Sequence, residues 1–210
     1  MKMSEILTLS PVIPVMVIED LNDAVPLAEA LVEGGLKVLE ITLRTSAALD
    51  AIKAIKSSVS GAVVGSGTVI NQQTFQASLD AGVDFMVSPG MSANLLEAVL
   101  AENVKMLPGA STPSEAMNLL EAGFNCQKFF PAEASGGTNL LKSIDGPLPQ
   151  ITFCPTGGIS MANAKSYLSL SNVACVGGSW MLDKQLIKDK NWHQITLLCQ
   201  QICSELKGDL

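Results

Sequence analysis

Two charged residues stand in this sequence where apolar strands should run. In Lys37-Val38-Leu39-Glu40-Ile41-Thr42-Leu43-Arg44-Thr45, the two-residue period of a strand sets Leu39, Ile41 and Leu43 on one face. Val38, Glu40, Thr42 and Arg44 share the other. A carboxylate on an enclosed face is costly unless it is paired or used. Glu40 is therefore a candidate for chemistry, with a structural ion pair to Arg44 as the plainer alternative. In Asn125-Cys126-Gln127-Lys128-Phe129-Phe130-Pro131, Lys128 interrupts a run suited to burial, and no other cation lies within five residues of it. Burial and a nearby cation both favour the neutral amine of a lysine, the form that attacks a carbonyl to make an imine. The alternative is a lysine that snorkels out of the strand end.

Scarcity narrows the chemistry. The chain has one histidine, His193, in Asn191-Trp192-His193-Gln194-Ile195, remote from any glycine-rich strand end. It reads as a surface or helix-start residue, so acid–base work falls to carboxylates, lysines, tyrosine, cysteines or water. Arg44 is the single arginine among thirteen Lys and Arg residues. Its planar fork suits either a surface ion pair or a clamp on a carboxylate or phosphate. Thr156-Gly157-Gly158 and Gly177-Gly178-Ser179 bring backbone N–H groups close to any anion, or are merely tight turns. In Gly65-Ser66-Gly67-Thr68, Thr68 offers a hydroxyl to a carboxylate or imine. In Ser88-Pro89-Gly90, Pro89 shapes a wall or a turn. Glu133 reads as a helix N-terminal carboxylate.

Something must hold these residues together. At 210 residues, with 48% hydrophobic and 16% charged, the chain has material for one large buried core. A formal charge of −7 without a basic run argues against a sequence-independent grip on nucleic acid. No run of eighteen apolar residues suggests a membrane span, and Met1 to Ser10 does not read as a signal peptide. Of five cysteines, Cys126, Cys154 and Cys175 lie in apolar runs where a thiol is a small hydrophobe. Cys199 and Cys203, with His193 near, fall short of a metal ligand set. A soluble, reduced, cytoplasmic protein without a metal is expected.

Short apolar runs alternate with helical periodicity throughout. Candidate strands are Val12–Ile18, Lys37–Leu43, Ala62–Gly67, Asp84–Ser88, Lys105–Gly109, Asn125–Phe130, Gln150–Pro155 and Val173–Gly177, their ends 21 to 25 residues apart. Thr112-Pro113-Ser114-Glu115 is a capping box. Glu33-Gly34-Gly35, Asp80-Ala81-Gly82 and Glu121-Ala122-Gly123 each end a helix. Eight such units predict an α/β fold, a (β/α)8 TIM barrel, over an open doubly wound sheet. At roughly 26 residues per unit the barrel is small for its kind. One domain is expected over 1–210, with a short N-terminal segment (about 1–11) and a C-terminal helix (about 192–207). In a barrel the active site lies at the C-terminal strand ends, with phosphate held after strands seven and eight.

Six stretches together resemble the 2-keto-3-deoxy-6-phosphogluconate (KDPG) aldolase / 4-hydroxy-2-oxoglutarate aldolase family. They are Val38 to Thr45, Gly65 to Val69, Ser88-Pro89-Gly90, Lys128-Phe129-Phe130-Pro131-Ala132-Glu133, Phe153 to Ile159 and Gly177-Gly178-Ser179-Trp180. The resemblance implies that Lys128 is the Schiff-base lysine and Glu40 the general acid–base. It implies that Arg44 and Thr68 bind the substrate carboxylate, and that Pro89, Phe130 and Thr156 also touch substrate. Gly157, Gly158, Gly177, Gly178 and Ser179 would hold its phosphate. It further implies a metal-independent enzyme without a cofactor, a homotrimer whose partner is a small phosphorylated keto acid. The implied reaction yields pyruvate and D-glyceraldehyde 3-phosphate from KDPG, with 4-hydroxy-2-oxoglutarate as a second substrate. Some relatives place an arginine at the end of strand one, where this chain has Val17-Ile18, which bears on substrate range. Two rivals have different requirements. A phosphosugar isomerase or epimerase would use Glu40 but leave Lys128 unexplained, and a non-catalytic phosphosugar-binding barrel would need neither.

Overall fold

Strand after strand ends within two or three residues of a glycine, a proline or a polar turn, and helices fill the intervals. The computed structural model describes residues 1–102 and 104–206. A short helix, α1 (Met3–Leu7), precedes β1 (Val12–Met16). Alternation follows with α2 (Leu21–Glu33), β2 (Val38–Thr42), α3 (Ala48–Ser58), β3 (Val63–Gly67), α4 (Gln72–Asp80), β4 (Phe85–Val87) and α5 (Ala93–Glu102). Two short strands, β5 (Met106–Leu107) and β6 (Gly109–Ala110), come next. Then follow α6 (Pro113–Glu121), β7 (Cys126–Phe129), α7 (Gly137–Asp145), β8 (Thr152–Pro155), α8 (Met161–Leu168) and β9 (Val176–Gly178). Last are α9 (Lys184–Lys188) and α10 (Trp192–Leu206). Of the helix expected at about 192–207, residue 207 lies outside the described residues.

All pairings are parallel, so each connection between consecutive paired strands crosses over through a helix. Hydrogen bonds join β5-β4-β3-β2-β1-β9 into one curled sheet and β6-β7-β8 into a second. A continuous eight-stranded ladder is not what these bonds form. The expected fifth strand, Lys105–Gly109, is divided at Pro108, which has no N–H to donate. Its carbonyl still accepts from Lys128 N at 2.8 Å. Toward the expected eighth strand, β8 and the residue after it make only the isolated bridges Phe153↔Val173 and Thr156↔Gly177.

The two faces of the sheet bury different things. Leu39 and Ile41 of β2 pack outward with Leu27, Leu31, Ile52 and Ile55 of α2 and α3. On the opposite face Val38, Phe85, Leu107, Cys126, Cys154 and Cys175 form a second cluster, into which α1 inserts Ile6 and Leu7. Helix ends follow local chemistry. Thr112 Oγ1 accepts from Glu115 N at 3.3 Å while Glu115 Oε2 accepts from Thr112 N at 2.9 Å. The backbone N–H of Ser111 is the main reason that the Glu115 carboxyl sits below its ordinary range. At the end of α4, Gly82 (φ +71°) donates to Leu79 O and Val83 to Ser78 O, a Schellman stop that an L side chain would strain. The same bonds recur at Gly35 and Gly123.

Candidate active site

Glu40 and Lys128 project from β2 and β7 onto the inner face, 88 residues apart in sequence. Lys128 Nζ donates to Glu40 Oε1 at 3.2 Å and Oε2 at 3.4 Å. Their side chains are 7% and 5% exposed. Room for Glu40 comes from the neighbouring strand: a Cβ on Gly67 would lie 2.3 Å from Glu40 Oε1. Phe130, two residues beyond Lys128 on the same face, sets its ring centroid 5.4 Å from the ammonium, within cation–π range.

The Glu40–Arg44 ion pair, the plainer alternative for Glu40, is not formed; the carboxylate pairs with Lys128 instead. Strand β2 ends at Thr42, so Arg44 lies in the following turn and is exposed rather than enclosed. Thr42 remains inside and donates to Met16 O at 2.9 Å. Arg44 Nε donates to Thr68 Oγ1 at 3.2 Å; among the described residues its Nη groups have no partner. Thr68 holds a φ of +64°, a conformation that a β-branched residue adopts only when its surroundings over-determine it. That strain sits beside the one arginine.

A cavity of about 190 Å³ opens beside these groups. Arg44, Phe130, Thr156, Gly157, Gly158, Gly177, Gly178 and Ser179 all line it. Glu40, Lys128, Thr68 and Pro89 are not among its lining residues; Pro89 is exposed on the turn after β4, where its carbonyl oxygen lies 2.3 Å from any Cβ added at Gly109. Val15 and Ile159 also line the cavity and were not singled out from sequence. For Val15 the sequence offered only the two-residue period, which puts it on the face of Ile13; its pairing opposite Glu40 is set by the register of β1 on β2.

The two glycine pairs differ. Gly157 and Gly158 form a turn at φ +101° and +78°, just before Ser160, the N-cap of α8. Gly177 and Gly178 are not a turn; they lie in β9. Their missing side chains make room instead, since Cβ atoms there would come 2.3 Å from Thr156 Oγ1 and 2.0 Å from Trp180 Cζ3. Glu133 is likewise not at a helix start, because α7 begins only at Gly137. His193 is exposed in the first turn of α10. All five cysteines are buried. Burial, then the nearby Cys203, pushes the Cys199 thiol up to about 12, which keeps it a neutral small hydrophobe.

Chemically, the arrangement joins a buried amine to a carboxylate that can exchange protons with it. Beside them lie an arginine fork and a glycine turn, both suited to anions.

The family model for KDPG and KHG aldolases matches residues 3–198. The chain is 48% identical to the 2-dehydro-3-deoxy-phosphogluconate aldolase of Pseudoalteromonas atlantica, over 97% of this chain and 95% of that one. It is 47% identical to the KHG/KDPG aldolase of Escherichia coli K12, over 93% and 92%. The solved KDPG aldolase of Legionella pneumophila, with pyruvate captured at low pH as a covalent carbinolamine intermediate, superposes at a TM-score of 0.93. It shares 46% identity and covers 97% of this chain, 98% of its own.

Proposed function

We propose a reaction for this chain from one premise: it belongs to the KDPG and KHG aldolase family. It is a class I aldolase that cleaves 2-keto-3-deoxy-6-phosphogluconate to pyruvate and D-glyceraldehyde 3-phosphate through a lysine Schiff base. The same chemistry extends to 4-hydroxy-2-oxoglutarate, giving pyruvate and glyoxylate, in keeping with the dual name of the E. coli relative. The observation that carries this reading is the buried contact between Lys128 Nζ and Glu40 Oε1 at 3.2 Å.

In this reading Lys128 attacks the ketone carbon of the substrate to give a carbinolamine, the species held with pyruvate in the Legionella relative. Loss of water leaves a protonated imine, which is an electron sink. Glu40, through a water, takes the proton from the hydroxyl two carbons further along. The bond from that hydroxyl-bearing carbon to the carbon next to the imine breaks, its electrons pass to the imine to form an enamine, and the aldehyde departs. The resulting enamine takes a proton and water hydrolyses the imine to pyruvate. Arg44 and Thr68 bind the carboxylate, with Phe130, Thr156 and Pro89 around the chain of the substrate. Gly157, Gly158, Gly177, Gly178 and Ser179 form the phosphate end.

The scaffold we assign to this work is one (β/α)8 barrel domain over 1–210. Two features support closure: β5 and β6 flank a single proline, and the isolated bridges Phe153↔Val173 and Thr156↔Gly177 link the segments around β8 and β9. A homotrimer acting on small molecules in the cytoplasm completes the proposal. Buried thiols suit a reducing compartment, and among the described residues no helix is long and apolar enough to cross a membrane.

The test is borohydride reduction in the presence of pyruvate, followed by peptide mapping. A stable adduct on Lys128 is expected. An adduct on Lys105 or Lys142 would move the nucleophile. No adduct at all would favour an isomerase, an epimerase or a non-catalytic phosphosugar-binding barrel.

A further inference from the structure

One partly buried polar contact beside the site has no part in the reaction above. Tyr167, on α8, is 0% exposed, and its phenol donates to Oε1 of Glu133. Burial first, then the bond to Glu133 and its charge, holds the phenol above its ordinary range, so Tyr167 stays a donor. Glu133 comes from the segment after β7 and is otherwise exposed. An exposed carboxylate has no need of a buried phenol. This one reaches it by crossing the glycine turn.

The crossing is close. A Cβ on Gly158 would lie 2.6 Å from Glu133 Cγ, and one on Gly137 would lie 3.1 Å from Tyr167 Oη. The aliphatic part of Glu133 therefore rests on Gly158. Backbone bonds run alongside: Ala132 N donates to Thr156 O at 2.8 Å and Glu133 N to Gly157 O at 3.1 Å. From the other side Asn163 Nδ2 donates to Gly158 O at 3.0 Å. Two successive glycines at positive φ have many other conformations open to them. An anion site made from their backbone is effective only if it is held ready before the ligand arrives.

We infer that Glu133 and Tyr167 form a latch that fixes the Gly157-Gly158 turn for the substrate phosphate, making Glu133 a positioning residue that sets preference for phosphorylated substrate. This rests on the aldolase reading and on the phosphate end assigned there. The latch spans the segments after β7 and β8, so its loss loosens the phosphate end and leaves the Lys128–Glu40 contact in place.

The experiment compares the wild type with Tyr167→Phe, Glu133→Ala and Glu133→Gln on both substrates, with melting temperature and pyruvate trapping recorded for each. Tyr167→Phe and Glu133→Ala should raise KM for KDPG roughly three- to thirtyfold, as expected for loss of one charge-assisted hydrogen bond acting at second hand. KM for 4-hydroxy-2-oxoglutarate and trapping on Lys128 should stay within about twofold, because neither involves the turn. Glu133→Gln keeps an acceptor for the phenol and the packing on Gly158, so it should restore most of the KDPG affinity. Equal losses on both substrates, a drop in melting temperature with an unchanged KM ratio, or wild-type behaviour throughout would overturn the latch and leave the aldolase reading standing. Failure of the wild type to trap pyruvate would overturn the aldolase reading itself.

Discussion

The inner face of the sheet has two layers, and a step of two residues along a strand passes from one to the other. On β2 the step is Val38 to Glu40, on β7 Cys126 to Lys128, and just past β8 it is Cys154 to Thr156. The first members of these pairs belong to an apolar cluster stoppered by Ile6 and Leu7. The second members meet as an ion pair and a cavity wall. Period two makes this possible, since the same face reappears at every second residue with only about 7 Å gained along the strand. The apolar layer gives the reactive layer a dry floor. In such a place a charge must find its partner inside the protein, which is why Lys128 and Glu40 touch.

Changes above the floor should cut turnover, with or without a loss of stability, whereas changes below it should cost stability and leave turnover intact. Lys128→Ala is the most severe case. If Lys128 is the nucleophile, as proposed, turnover should fall by at least about 10⁴-fold. Because the lysine is paired, truncation also leaves Glu40 buried and alone, costing about 3–5 kcal/mol of stability. The double variant Lys128→Met, Glu40→Gln should regain most of that stability and none of the turnover. Glu40→Gln alone keeps the shape but cannot shuttle protons, so turnover should drop by roughly 10²–10⁴-fold while the pyruvate adduct still forms slowly. Steady-state kinetics with thermal melts check all three. Near-normal turnover in Glu40→Gln would reduce Glu40 to an ion-pair partner.

Below the floor the expectation reverses. Phe85 is 1% exposed, and its ring occupies the space over Gly65, where a Cβ would lie 2.4 Å from Cζ. Phe85→Ala should cost about 3–5 kcal/mol of stability through lost burial and the cavity left behind. Where the variant is still folded, kcat/KM should stay within about twofold of wild type. A tenfold loss of kcat with an intact melting curve would show that the layers are coupled, and the division would fail.

Much of this was legible in the sequence because it is local. The capping box at Thr112 and the stops at Gly82 and Gly123 depend on residues within one or two turns, and each stands where the pattern puts it. Strand spacing and the inward placement of Glu40 and Lys128 follow from period two. What escaped was set by partners distant in sequence. Pairing of Glu40 with Lys128 rather than Arg44 depends on curling of the sheet, and on Gly67 leaving space. Arg44 lies in a turn because β2 stops at Thr42, a boundary that alternation alone does not mark. The second glycine pair looked like the first, yet its role is set by Thr156 and Trp180 across from it. The break at Pro108 was readable: a proline inside a strand flanked on both sides has no N–H to give.

Arg44 tests the upper layer at its rim, where the expected effect is smallest and the geometry most specific. Its Nε is committed to Thr68 Oγ1 at 3.2 Å, which orients the fork and leaves the Nη groups for a ligand. Arg44→Lys keeps the charge but loses both that tether and the paired hydrogen bonds that match a carboxylate. If Arg44 holds the substrate carboxylate, KM should rise for KDPG and for 4-hydroxy-2-oxoglutarate alike. Loss of one hydrogen bond to a charged group, about 1.5–3 kcal/mol, corresponds to roughly ten- to a hundredfold or more in kcat/KM. Ser179→Ala should instead weaken KDPG and spare 4-hydroxy-2-oxoglutarate, which carries no phosphate. Measuring both variants on both substrates assigns the two ends of the cavity independently. Should Arg44→Lys impair the phosphorylated substrate alone, the carboxylate and phosphate ends must be exchanged, since a carboxylate clamp cannot distinguish two substrates that both carry the carboxylate.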